Sequence, residues 1–203
     1  MTARTDSGHT FKIATEEWEF ERIFELNYAT FVEEVPQHDP NTSRRLVDPF
    51  HSENTYFICL NGDELVGMVA VRDRRPFSLD KKLGNIDKYL PAGRSVCEIR
   101  LLSIAKSRRK GRVIQGLLTM LAKHCIDSGY DLGVISGNVG QEKLYRQLGF
   151  VPFGQRVGTP RALYQPMYRD LTTLEEDFSG RFHHSVEDSG RRPTNLMPGP
   201  ASC

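Results

Sequence analysis

The chain is short of nearly everything that marks a specialised protein. Its 27 Lys and Arg balance 26 Asp and Glu, leaving a net charge of +1. Such a chain carries no global field to hold nucleic acid or an anionic membrane, so neither is expected as a partner and any basic function must be local. No apolar run approaches the roughly 18–20 residues that span a bilayer. The first ten residues are polar, without the apolar heart of a signal peptide, and a cytoplasmic protein is the default expectation. The four cysteines, Cys59, Cys97, Cys125 and Cys203, contain no Cys-x-x-Cys pair and have no histidine cluster beside them. Neither a metal site nor a disulfide framework is expected, and the cysteines read as buried thiols. What remains, 38% apolar and 26% charged residues over 203 positions, is enough for one domain with a proper core, plus tails.

The patterns present alternate. Phe11 to Ala14 reads as a short strand. Thr15 reads as the cap of a helix whose first turn holds Glu16, Glu17 and Glu19, and whose apolar stripe (Trp18, Phe20, Ile23, Phe24, Leu26, Phe31) runs to about Val32. Three prolines between Val35 and Phe50 predict a loop, and loops of that length usually serve a function. Thr55 to Leu60 and Leu65 to Arg72 read as strands joined at the hairpin signal Asn61-Gly62-Asp63. Residues 72–90 are irregular, with a short helix or two. Val96 to Ala105 is a strand. Val113 to Ser128 is the strongest helix, with Ile114, Leu117, Leu118, Leu121 and Cys125 on one face and Gly129 as its stop. A strand at Asp131 to Ser136, a short helix at Gly140 to Leu148, and strands at Phe150 to Phe153 and Ala162 to Tyr168 follow. Hairpins first and strand–helix alternation afterwards predict an α/β or α+β fold. The sheet is mixed and mostly antiparallel, of about six to seven strands with a central parallel pair, flanked by helices. Residues 1–10 form a polar tail, 11–170 the domain, and 171–203 a flexible tail or linker.

One stretch organises the rest: Ser107-Arg108-Arg109-Lys110-Gly111-Arg112-Val113, between the strand at Val96 and the strongest helix. Cations in a first helical turn oppose the helix dipole, at about 0.3–1 kcal/mol each. The arrangement makes sense if an anion sits there on free backbone N–H groups. It is neither a Walker A loop nor a dinucleotide fingerprint, since the glycines are wrongly spaced for both. Strand, basic glycine-containing loop and helix together point to a phosphate-bearing ligand.

Arg108 to Val113 resembles the pyrophosphate-binding signature of the GNAT superfamily of N-acetyltransferases, Arg/Gln-x-x-Gly-x-Gly/Ala. Arg108 and Gly111 match, and Val113 stands where Gly or Ala is usual. Asn138, followed by Leu144-Tyr145-Arg146-Gln147-Leu148-Gly149-Phe150, resembles the superfamily's later motif, and the element order agrees over residues 11–168. The resemblance implies acetyl-CoA or another acyl-CoA as donor and direct transfer to the amine of a small-molecule acceptor, with no metal. The coenzyme's pyrophosphate would lie on Arg108, Arg109, Lys110, Gly111, Arg112 and Val113, and its pantetheine arm against Leu102, Ser103 and Ile104, with Asn138 beside it. Such chemistry needs a base for the amine and an acid for the departing thiolate. Tyr145 matches the position of the acid. Glu98 is the base candidate, because a carboxylate in a strand of Val96, Cys97, Ile99, Leu101 and Leu102 is costly if buried and unpaired. Arg100, two residues on, shares its face, so the two form either a plain ion pair or the wall of an acceptor cleft.

A narrower resemblance runs through Tyr28-Ala29-Thr30-Phe31-Val32-Glu33-Glu34, Asp48 and Glu98-x-Arg100, which are similar to the acyl-homoserine-lactone synthases and the long-chain N-acyl amino acid synthases. The Glu-x-Arg spacing is one residue shorter than theirs, and Asn27-Tyr28 stand where they carry an arginine. It implies Glu33, Glu34, Asp48 and Arg100 as substrate-binding residues, an acyl chain longer than acetyl, and acyl carrier protein as an alternative donor. Asn195 to Pro200 resembles the opening of class V aminotransferases, which implies a fusion in which this domain would be an acyl-CoA-binding regulator. Assembly is unreadable in the sequence, a homodimer being one option.

Overall fold

A computed structural model describes residues 2–4, 8–109 and 112–173. Among the described residues nine strands make one sheet: β1 Thr2–Arg4, β2 His9–Ile13, β3 Asn54–Asn61, β4 Glu64–Arg72, β5 Val96–Ile104, β6 Leu132–Asn138, β7 Val151–Pro152, β8 Val157–Thr159 and β9 Ala162–Asp170. The order is β1-β2-β3-β4-β5-β6-β9-β7, with β8 also on β9. Every pairing is antiparallel except β5 with β6. The expected mixed sheet with its parallel pair is present. The added strands are β1, inside the stretch read as a polar tail, and β8, each three residues long and too short to declare a period of two.

Four α-helices among the described residues flank the sheet: α1 Glu17–Tyr28, α2 Ser78–Leu83, α3 Val113–Asp127 and α4 Glu142–Gln147. Helix α1 starts one residue later than the threonine signal predicts. Glu19, not Thr15, does the capping. Its carboxylate accepts the backbone N–H groups of Thr15 and Glu16 at 2.8 and 3.1 Å, and pairs with Lys12 at 2.7 Å. Past Tyr28 the helix widens into a π-helical turn, Ala29–Glu34, which redirects the chain into the loop ending at Phe50.

Of the stripe read on α3, Leu117, Leu118, Leu121 and Cys125 are buried and Ile114 only partly so, with Val113 buried beside them. Val113, Leu117, Leu118, Leu121 and Cys125 pack with Phe11, Phe57 and Val66 on one face of the sheet. Helix α1 covers the other face, with Ile23 and Phe24 against Tyr56, Ile58 and Met68. A third cluster joins Phe77 and Leu79 to Phe153, Val157 and Tyr164. Two glycines let α3 approach closely: a Cβ on Gly116 would strike the Phe11 ring, and one on Gly67 would lie 2.8 Å from Val113 Cγ1. Among the described residues no helix is long and apolar enough to cross a membrane.

Two irregularities in β5 shape the interior. First, β5 and β6 pair only where Val96–Glu98 face Leu132–Val134. Beyond that the two strands separate, although β5 runs on to Ile104 and β6 to Asn138. Second, Ala70 pairs with Arg100 and Met68 with Ser103, so Leu101 and Leu102 together oppose Val69. This bulge holds Leu101 at φ 54°, a left-handed conformation that a branched side chain adopts only under strain.

Candidate functional site

The separation of β5 from β6 opens a cleft of about 410 Å³. One end is apolar, walled by Ile99, Leu118, Ile135, Leu148 and Phe150. The other is charged, with Asp48, Ser78, Lys82, Glu98 and Arg100. Leu101, Leu102, Ser136, Asn138 and Tyr145 lie on the wall as well.

The charged end is built around Arg100. One terminal nitrogen donates to Glu98 Oε2 at 3.0 Å and the other to Asp48 Oδ2 at 2.6 Å. Its guanidinium lies 4.7 Å from the centre of the Phe50 ring. Asp48 also accepts the Phe50 N–H at 2.7 Å, which fixes the end of the long loop. Glu98 is 1% exposed. Buried carboxylates persist only when paired and hydrogen-bonded, and this one is saturated. Besides Arg100 it accepts the N–H groups of Ser78 and Leu79, at 3.1 and 3.4 Å, and the Ser78 hydroxyl. The start of α2 therefore docks on the strand carboxylate.

Tyr145 projects from α4 toward β6. Its ring lies where a Cβ on Gly137 would come within 2.8 Å, so the glycine is what lets the phenol reach the cleft wall. Burial pushes its pKa up, opposed by the backbone N–H of Asn138. Burial likewise pushes Tyr164 up to about 12, and its hydroxyl donates to Gln37 Oε1 at 2.7 Å.

The structure thus brings Glu98, Arg100, Asp48, Tyr145, Asn138 and Leu102 into one cleft wall. It does not bring Glu33 and Glu34 there. Glu33 pairs with Arg44 and Glu34 with Arg109, each at 2.5 Å. The Glu34–Arg109 pair ties the loop expected to hold pyrophosphate to the turn that follows α1. Arg109 also donates to Ile104 O at 3.1 Å, and Arg108 lies 3.7 Å from Glu64. Arg112 precedes α3 and is exposed, while Lys110 and Gly111 fall outside the described residues. Ser103 is buried, off the cleft wall. Val113 is buried too, and the room for it comes from Gly67 across on β4, so its side chain points into the core. The aminotransferase-like segment, Asn195 to Pro200, also lies outside the described residues.

Sequence reasoning missed Ser78, Lys82 and Tyr164. Ser78 and Lys82 sit in the irregular stretch between β4 and β5, where no periodicity announces them. The one signal was a serine opening a short helical pattern.

The family model described as N-acyl amino acid synthase FeeM matches residues 22–169. No curated protein matches by sequence. Among solved structures, a CoA-dependent acyl-homoserine lactone synthase, BjaI, superimposes with a TM-score of 0.71 at 19% identity, over 87% of this chain and 90% of that one. FeeM, an N-acyl amino acid synthase from uncultured soil microbes, gives 0.65 at 16% identity, over 82% and 92%. A proposed N-acetyltransferase from Lactobacillus plantarum gives 0.58 at 15% identity, over 81% and 99%. At these identities the superpositions establish a shared fold.

Proposed function

Because the chain belongs to the N-acyl amino acid synthase FeeM family, we propose that it moves an acyl chain longer than acetyl from a thioester donor onto the α-amine of an amino acid. The observation that carries this reading is the cleft of about 410 Å³, which has more room than an acetyl group needs and joins an apolar lining to a charged one. The basic turn around Arg108, Arg109 and Arg112 favours acyl-CoA as donor, with acyl carrier protein as the alternative that the assay below distinguishes.

In this reading the acyl chain lies between Ile99, Leu118 and Ile135, and the thioester sits where β5 and β6 part. The neutral amine attacks the carbonyl carbon, a C–N bond forms and the C–S bond breaks. A carboxylate offers about four acceptor sites, and those of Glu98 are taken by Ser78, Leu79 and Arg100. The amine proton therefore passes to Ser78 Oγ, whose own hydrogen moves along its existing bond to Glu98. Tyr145, kept protonated by burial, gives its proton to the leaving thiolate. Solvent restores both groups.

The test pairs binding with turnover. Acetyl-CoA, dodecanoyl-CoA and dodecanoyl-acyl carrier protein are each offered, with and without a panel of amino acids, while thermal shift and N-acyl product are measured. A donor at about 100 times its dissociation constant should add about 2.7 kcal/mol, and product should appear with the dodecanoyl donors well above acetyl-CoA. Binding of none of the three, or binding without product from any amino acid, would sink the reading.

A further inference from the structure

Lys82 is a cation that the cleft does not use. The other charges on its wall are committed to one another. Arg100 spends its two terminal nitrogens on Glu98 and Asp48, and both carboxylates are further held by backbone N–H groups. Lys81, its neighbour, stacks on Phe50 at 4.8 Å, and Arg75 pairs with Asp80 and Asp87. Lys82 lines the cleft with its ammonium 5.7 Å from the centre of the Tyr164 ring and forms no ion pair among the described residues. Although the residue is exposed, partial desolvation by the surrounding protein lowers its pKa; the charge of Glu98 opposes this and that of Arg100 adds to it. Lys82 is an exposed residue on the rim of the cleft, and its ammonium can meet an anion that enters there.

Position says where that anion belongs. Ser78 and Lys82 are four residues apart on α2, so they project from one face with their Cβ atoms about 5–6 Å from each other. Ser78 is bonded to Glu98, at the point assigned above to the reacting amine. A group bonded to Ser78 through its amine, and carrying a carboxylate two bonds away from that nitrogen, can direct the carboxylate toward Lys82. Arg100 is already held between Asp48 and Glu98, whereas Lys82 has no ion pair among the described residues.

Resting on the N-acyltransferase reading of the cleft, we infer that Lys82 is a specificity-determining residue that binds the carboxylate of the acceptor and so selects α-amino acids over amines that lack one.

The experiment uses the full chain with a saturating dodecanoyl donor, and offers phenylalanine, leucine and serine each beside its carboxamide. The wild type should prefer the acid over the amide by roughly tenfold or more, the size of one hydrogen bond to a charged group. In Lys82→Gln the ratio should fall towards one, with the loss carried by KM for the acid more than by kcat, and Lys82→Arg should recover part of it. Thermal midpoint and donor binding of each variant establish that it is folded. A wild type that acylates acid and amide equally, or a Lys82→Gln variant that keeps the full preference, overturns the inference and leaves the acyltransferase reading standing. Absence of product from every acceptor and every donor overturns both.

Discussion

Arg100 holds two buried carboxylates with a planar fork, which a lysine's point charge cannot reproduce. Replacing it with methionine strands Asp48 and Glu98 in a site where they are 7% and 1% exposed. Breaking a buried pair from one side costs about 3–5 kcal/mol, so Arg100→Met should lower the urea-unfolding free energy by about that amount. A loss under about 1 kcal/mol would show that the cluster is solvated. Ser78→Ala tests a different property. It removes the hydroxyl between amine and carboxylate, keeps both backbone bonds to Glu98, and should cut kcat by about 10²–10⁴ with donor affinity retained. If single-turnover rates of Ser78→Ala match wild type, the relay is wrong. Glu98 and Arg100 were legible in the sequence because charge in an apolar strand needs an explanation, and Asp48 only through the resemblance to the acyl-homoserine-lactone and N-acyl amino acid synthases. Ser78 was not, since its partner lies 20 residues away and the stretch between them carries no period.

At the level of elements, the sheet opens because β5 bulges and β6 leaves it after three paired residues. The sequence read both strands correctly and could not reveal the bulge, since Leu101 holds a left-handed φ where a glycine would have announced it. The strand–loop–helix order around α3 was readable because its apolar stripe has the right period and a glycine stop. The helix start was misread by one residue at α1, because Glu19 reaches back to two N–H groups and displaces the threonine signal. The valine at 113, where the resemblance calls for Gly or Ala, finds its space in Gly67 of β4, a compensation that only the tertiary contact displays. Gly137 bears on function. A methyl group there would press on the Tyr145 ring at 2.8 Å, and β6 cannot yield because β9 pairs along its other edge. Gly137→Ala should therefore turn the phenol out of the cleft. Turnover should fall at least tenfold, with donor binding much less affected. An equal loss in both would mean that the substitution disturbs the strand rather than the tyrosine.

Over the whole molecule, the near-zero net charge leaves pH dependence to individual buried groups. On the acid side the Glu19 carboxyl is decisive. Burial alone would raise its pKa, but Lys12 and the N–H groups of Thr15 and Glu16 outweigh burial and hold it below the usual carboxylate value of 4.5. A group with a lowered folded value contributes stability that is complete above its unfolded value and is lost as pH falls through the folded one. Asp170 behaves alike, because Thr172 and Arg94 overcome its burial. On the alkaline side the sign reverses. Burial pushes the Cys59 thiol up to about 11 from 9, and the Tyr56 and Tyr164 phenols up to about 12 from 10. Ionisation is then easier in the unfolded chain, so their contribution is complete below the unfolded values and drains away as pH rises through the folded ones. Stability should be flat from about pH 5 to 9, fall gently below that window through Glu19 and Asp170, and fall more steeply above it through the raised thiols and phenols, these three and Tyr145 among them. The check is a series of urea midpoints from pH 4 to 11. Tyr164→Phe should lower the plateau by the lost bond to Gln37 and flatten the alkaline limb, because one of the groups that must stay neutral in the fold is gone. A midpoint that rises between pH 9 and 11 would contradict the burial of all three.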